Sequence, residues 1–574
     1  MNFRKSIDLL TKEAMESGEG TLKRTLGPVN LVALGIGAII GAGLFSITGS
    51  AAANNAGPAI TISFIIAAVG CAFAGLCYAE FASMIPVAGS AYTYSYATMG
   101  EFVAWIIGWD LVLEYAVGAA TVSISWSRYL VKFLGYFDIH LPAEVVMSPF
   151  DTAVLADGST VSGMFNLPAV FIVVIMSLIL IKGTKESAVI NGVIVAVKVV
   201  IVLIFIFLGW KYINADNYSP YFIPADKAGH EGFFTNGWGG VIRAAAIVFF
   251  AYIGFDAVST AAQEAKNPKK DMPIGILVSL LICTVLYILF AHVMTGVANY
   301  DLFKGQDGIA PVAVAIDNMG AKDAAGVVTP AYPWLNKAII LAILGGYASV
   351  IMVMLMGQSR VFFSMSKDGL IPKIFSNVHS KFGTPSKSNL LFMVFVSLFA
   401  AFVPARVVGE MTSIGTLFAF ILVCIGIIIL RKRMPDLPRA FKVPLVPLIP
   451  ILGVAVCLGM MVFLPLDTWV RLLVWMIIGI NIYLFYGIKN SALSDNKIIT
   501  LIKSNKTVSY VGLILAGLLV VVAVLHHHFS LQDAAADATL TADFGLYYFS
   551  LGFAILHILI YGYRILTANK IQAK

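Results

Sequence analysis

The sequence predicts an all-α polytopic membrane protein that crosses the bilayer fourteen times. Three observations carry that reading. The 574 residues are 59% hydrophobic and only 12% charged, with a mean hydropathy of +0.89. A water-soluble core could not hide that much apolar surface. Fourteen apolar runs average about 20 residues, the length that crosses a hydrocarbon layer. Two of those runs, the first and the sixth, are broken by glycine near their centres.

The spans fall at 29–51, 58–80, 102–130, 165–181, 187–210, 237–262, 273–297, 336–364, 389–405, 409–430, 448–465, 469–488, 508–529 and 544–563. Residues 1–28 are polar and charged, so a cleavable leader is not expected and the first span serves as its own insertion signal. Charge gives the orientation. Of 38 Lys and Arg residues, 27 fall on the side of the N-terminus and nine on the other, with Lys198 and Arg243 inside spans. That bias puts both termini in the cytoplasm. The net charge of +7 is scattered among loops, which reads as topology and excludes nucleic acid as a partner.

Spans 1–5 and 6–10 form two five-span units whose first members are the broken ones, the logic of an inverted repeat. The organisation expected is a tail at 1–28, a first repeat at 29–213, a second at 236–431, spans 11–14 at 432–566 and a cytoplasmic tail at 567–574. Spans 11–14 read as peripheral helices for packing or for a homodimer contact. The sequence leaves a small single-span partner open. Phe3 to Leu22 suits an amphipathic helix on the inner surface, with a disordered tail as the alternative.

The cysteines Cys71, Cys77, Cys283, Cys424 and Cys457 all lie in apolar runs and read as small core residues. His526-His527-His528 stands at a span end without Cys or carboxylate partners at ligand spacing, so no metal is expected. A channel would need charged rings or a carbonyl-rich filter. An enzyme would need a convergent acid, base or metal constellation. Neither pattern is present in the sequence. A non-transporting sensor would usually carry a sizeable soluble domain.

The breaks read differently. They are Gly35-Ile36-Gly37-Ala38-Ile39-Ile40-Gly41-Ala42-Gly43-Leu44-Phe45 and Phe249-Phe250-Ala251-Tyr252-Ile253-Gly254-Phe255-Asp256-Ala257-Val258-Ser259-Thr260. Irregular backbone at membrane depth survives only where protein or a cavity surrounds it. A broken helix offers N–H groups to an anion and C=O groups to a cation. An amino acid presents both charges. The N–H groups of Gly41, Ala42 and Gly43 are expected to face a carboxylate. The carbonyls of Ile39, Phe250, Ala251 and Ile253 are expected to face an amine. A glycine-rich packing face would explain span 1 alone; the matched break in span 6 favours binding.

At these residues the chain resembles the amino acid–polyamine–organocation superfamily, and within it the cationic amino acid transporter family. The resemblance starts at Leu22-Lys23-Arg24-Thr25-Leu26-Gly27-Pro28 and runs through the span 1 break. It continues at Glu80-Phe81, Pro86-Val87-Ala88-Gly89-Ser90-Ala91-Tyr92-Thr93-Tyr94 and Gly108-Trp109-Asp110-Leu111-Val112-Leu113-Glu114-Tyr115. It resumes from Phe249 to Gln263-Glu264-Ala265-Lys266-Asn267-Pro268, then at Gly357-Gln358-Ser359-Arg360 and Met365-Ser366-Lys367-Asp368-Gly369-Leu370-Ile371-Pro372. It implies a LeuT-like fold with four extra C-terminal spans and alternating-access transport of L-amino acids. Ala42 departs from relatives that often carry Thr or Ser there, so a side-chain hydroxyl to the carboxylate is missing.

Lys198 lies mid-span in Val193-Ile194-Val195-Ala196-Val197-Lys198-Val199-Val200-Ile201. A charge at that depth is costly and marks function by default. The resemblance places a lysine here where sodium-coupled relatives hold Na⁺, which implies proton coupling and no cofactor. The alternative is a fixed charge bracing span 1 against span 8, giving an exchanger or facilitator. Asp110 and Glu114 share one face of span 3; the resemblance implies that Glu114 is essential for transport, and the alternative is a buried hydrogen-bonding brace. Asp256 suits a cap on the second half of span 6. Glu80, Glu264, Arg360 and Asp368 read as gate or loop-anchoring charges. Met354 stands where the resemblance puts the side-chain end of the pocket, and with Phe250 and Phe255 gives an apolar lining. That suggests a broad, neutral, alanine-like substrate, whereas the family name suggests arginine and lysine. Cysteine-poor outer loops fit a bacterial plasma membrane, as does Asn217-Tyr218-Ser219 followed by Pro220.

Overall fold

Proline and glycine punctuate the helices. Pro28, Pro268 and Pro333 stand in the first turns of spans 1, 7 and 8, where a missing N–H costs nothing. The computed structural model describes Lys5 and residues 26–572, apart from 86, 88, 155–158, 183–186, 263–264, 305–309, 323–327, 380–381, 493–496 and 537–543. The expected helix at Phe3 to Leu22 therefore lies outside the described residues, Lys5 excepted. So do Glu264 and the last residues of the C-terminal tail.

The chain is an α-helical polytopic membrane protein. Among the described residues, ten helical runs are long and apolar enough to cross a bilayer, and three shorter apolar helices accompany them at Leu167–Lys182, Ser386–Phe402 and Leu448–Val462. The first run, Pro28–Met84, holds both the broken span 1 and the continuous helix Ile60–Met84 of span 2. Span 3 runs from Glu101 to Gly135 with a π-helical turn at Leu113–Val117. Span 5 covers Ser187–Trp210, span 7 Pro268–Val297, span 8 Pro333–Lys367 and span 10 Ala405–Arg433. Span 13, at Lys497–Ala536, is longer than its apolar run because polar residues continue the helix at both ends.

Span 7 packs along span 2 and the first half of span 1, Pro28–Ile39. Glycine permits the approach: a Cβ on Gly275 would stand 2.8 Å from that of Leu31. Span 8 packs on spans 3, 5 and 9, while spans 13 and 14 pack on each other and on span 12. Large apolar side chains such as Ile514, Val521, Leu559 and Leu566 stay exposed there, a surface suited to acyl chains.

Three elements do not show as apolar runs. A buried, tyrosine-rich helix, Ser90–Thr98, lies between spans 2 and 3. Two antiparallel hairpins pair Thr152–Val154 with Thr160–Ser162 and Gly320–Lys322 with Val328–Pro330 in the long loops. All five cysteines are buried among the spans.

Candidate functional site

The two breaks meet. Span 1 is helical from Pro28 to Ile39; Ile40 is then extended, at φ −72° and ψ 102°, and the helix resumes through a π-helical turn, Gly43–Ile47. Span 6 is helical from Gly237 to Val248, tightens at Phe249–Tyr252 and resumes at Ala257–Thr260. A Cβ on Gly43 would overlap the Cα of Ala251 and lie 2.6 Å from its amide nitrogen. Gly254, at φ +111°, presents its bare Cα to Ala38, whose carbonyl oxygen would lie 2.9 Å from an added Cβ. Both approaches need glycine, and the second also needs its left-handed backbone. A Cβ on Gly41 would stand 3.1 Å from Val350 of span 8, one turn before Met354.

The freed carbonyls already have partners. Lys198 is 1% exposed, and its Nζ donates to the carbonyls of Gly37 at 2.9 Å and Ile40 at 3.0 Å. Span 8 makes room for it at Gly346, where a Cβ would stand 2.7 Å from the lysine Cε. Lys198 thus fills the space between span 1 and span 8. The Tyr287 hydroxyl of span 7 faces the carbonyls of Ile39 at 2.8 Å and Ala251 at 2.9 Å. The Phe250 carbonyl accepts from the Ile253 N–H at 3.2 Å. Three of the four carbonyls expected to face an amine therefore lie within hydrogen-bonding reach of a donor of the protein. Tyr287 was not legible beforehand: a tyrosine in an apolar run carries no sign of what its hydroxyl reaches.

On the anion side, Leu44 and Phe45 both donate to the Gly41 carbonyl at 3.2 Å. The second half of span 1 thereby begins at Ala42, among the N–H groups that lack a partner earlier in the helix. Farther along, the Tyr129 hydroxyl donates to the Phe45 carbonyl, and Ser46 pairs with Tyr347 at 2.9 Å. Spans 3 and 8 thus hold the second half of span 1.

Asp256 corrects one expectation. It stands at the start of the second half-helix, yet its side chain makes no capping hydrogen bond; its carboxylate accepts from the Tyr115 hydroxyl. Its backbone is already helical, at φ −70° and ψ −28°, whereas a capping side chain needs an extended residue. The Glu114 carboxyl lies beside it, carried by the π-helical turn of span 3. Both residues are fully buried. Asp110 is buried too, one turn away against Gly415 of span 10.

Met354 is 3% exposed, and its sulfur would lie 3.3 Å from a Cβ on Gly118 of span 3, which Thr412 of span 10 also adjoins. Phe250 is buried, while the Phe255 ring joins Tyr78 and Phe420 in an aromatic cluster. Of the charges expected at gates or loop anchors, Arg360 reaches the Thr260 carbonyl at 3.4 Å. Asp368 accepts from Tyr92 and pairs with Lys5, both at 2.6 Å. Glu80 is gripped by Arg431 at 2.7 Å and Arg439 at 3.2 Å and accepts from the Val443 N–H at 2.6 Å. It anchors the loop after span 10.

The family model described as amino acid permease matches residues 26–483. The chain is similar to the branched-chain amino acid permease BcaP of Bacillus subtilis (strain 168), 45% identical over 495 residues, covering 86% of this chain and 98% of that protein. It is similar to the methylthioribose transporter of the same organism, 41% identical over 479 residues, covering 83% and 96%. It is also similar to the vacuolar cationic amino acid transporter 4 of Arabidopsis thaliana, 34% identical over 420 residues, covering 73% and 65%. These relatives are transporters and permeases, not enzymes.

Proposed function

Because the chain belongs to the amino acid permease family, we propose that it is a proton-coupled symporter of L-amino acids working by alternating access in a bacterial plasma membrane. One observation carries the reading: the interlocked breaks of spans 1 and 6, with Lys198 bonded to the carbonyls of Gly37 and Ile40. The fold proposed is LeuT-like, with repeats at 29–213 and 236–431, further spans at 432–566, tails at 1–28 and 567–574, and both termini cytoplasmic. A helix at each of the fourteen expected positions supports it.

In this reading, the substrate carboxylate sits at the N–H groups of Gly41, Ala42 and Gly43, and the amine at the carbonyls of Ile39, Phe250, Ala251 and Ile253. Buried Phe250 and Met354 favour a neutral, apolar side chain, as does the likeness to a branched-chain permease. Lys198 alternates between holding the span 1 carbonyls as an ammonium and releasing them as an amine. Proton binding is thereby tied to the shape of the break. Glu114, Asp256 and Arg360 brace the moving halves.

A cationic substrate is the second reading. It is favoured by the buried carboxyl groups of Glu114 and Asp256, which lie side by side. Binding of leucine, alanine, arginine and methylthioribose to the purified full chain separates the readings. Leucine or alanine displacing the others supports the proposal. Arginine as the preferred ligand supports the second. Methylthioribose alone, with no amino acid bound, overturns both.

A further inference from the structure

We infer that Tyr287 is a positioning residue of the amine site, holding the carbonyls of Ile39 and Ala251 in register for the substrate ammonium. The inference rests on the functional reading above and adds a role for a side chain outside both breaks.

The Tyr287 hydroxyl is fully buried and lies 2.8 Å from the Ile39 carbonyl and 2.9 Å from that of Ala251. Those carbonyls belong to different broken helices. A phenol has one hydrogen to give, so two acceptors share a single donor. Burial makes a missing donor costly. An ammonium brings three donors and satisfies both carbonyls where the hydroxyl satisfies one at a time.

The neighbouring groups fix the tyrosine for this task. Its ring packs on Phe64, with centroids 5.5 Å apart, and on Tyr252, at 5.3 Å. The Tyr252 hydroxyl is held elsewhere, donating to the Phe64 carbonyl at 3.1 Å. The ring is thus held by packing, and only the hydroxyl addresses the breaks. Lys198 bonds different carbonyls, those of Gly37 and Ile40, so the two side chains do not compete. Without a ligand, Tyr287 keeps the acceptor pair together. With one, the ammonium supplies the donor that the shared acceptors still lack, and the hydroxyl keeps them in register.

The test compares wild type with Tyr287→Phe, which keeps the ring and removes the hydroxyl. Dissociation constants are measured for L-leucine and for its 2-hydroxy analogue, which lacks the amine. The expected result is about tenfold weaker leucine binding, with the hydroxy acid changed less than about threefold. Equal weakening of both ligands marks a structural role and overturns the inference, as does unchanged leucine binding. A second measurement needs no loss of the hydroxyl. With 3-fluorotyrosine at position 287, the ¹⁹F resonance should move on adding leucine and not on adding the hydroxy acid. A resonance indifferent to leucine overturns the inference even if Tyr287→Phe fails to fold. Wild type that binds the hydroxy acid and no amino acid overturns the functional reading, and this inference with it.

Discussion

Gly43 of span 1 lies against the backbone of Ala251 in span 6, so closely that a Cβ on the glycine would overlap the alanine Cα. The obstruction is main chain, which cannot rotate aside. Any side chain at position 43 must therefore push the two breaks apart. Gly43→Ala is expected to abolish uptake and lower thermal stability. Gly135→Ala, with open space around its Cα, is the matched control. Measured together in detergent and in liposomes, the two variants separate the break from general glycine effects. Unimpaired uptake by Gly43→Ala would contradict the interlock.

Lys198 predicts a second outcome. Lys198→Met keeps the length and apolar stem but leaves the carbonyls of Gly37 and Ile40 without their donor. Gradient-driven uptake should fall to background. Gly346→Ala probes the same place from span 8, since its methyl would meet the lysine Cε at 2.7 Å. It should slow turnover while leaving the lysine chemistry in place, and the pH profile of uptake checks that distinction.

Glu80 offers a prediction about stability. Two arginines and one backbone N–H converge on this fully buried carboxylate. Glu80→Gln leaves Arg439, itself only 3% exposed at its side chain, without its counter-charge. Breaking a buried pair from one side costs about 3 kcal/mol. The melting temperature should drop by several degrees, while ligand affinity, measured below that transition, stays near wild type.

Met354 predicts selectivity. Its thioether is buried beside Gly118, and Met354→Ser replaces it with a short hydroxyl. Competition against labelled leucine should show arginine gaining and leucine losing, each by roughly tenfold, about what one or two methylenes are worth in an apolar pocket. Unchanged competition by both would remove Met354 from the lining.

The apolar helical character and both breaks were legible because glycines and a lysine stand out in apolar runs. Lys198 could be placed between spans 1 and 8 because a buried ammonium needs acceptors, and a broken helix supplies them. The acceptors of Tyr287 were hidden: Ile39 is 248 residues away in sequence, and no periodicity encodes that distance. Asp256 misled for a related reason. Its position suits a cap, yet Tyr115, 141 residues away, takes its carboxylate. The helix Ser90–Thr98 escaped because its tyrosines and serines show no apolar run, although every residue in it is buried.

Proton-driven uptake tests the central claim most directly. Purified full chain in sodium-free liposomes would be given labelled leucine, alanine or arginine under an inward proton gradient, beside Lys198→Ala. The account predicts accumulation of a neutral amino acid above equilibrium in wild type and none in the variant. Equilibration without accumulation, indifferent to the gradient, would contradict it and leave an exchanger or a facilitator.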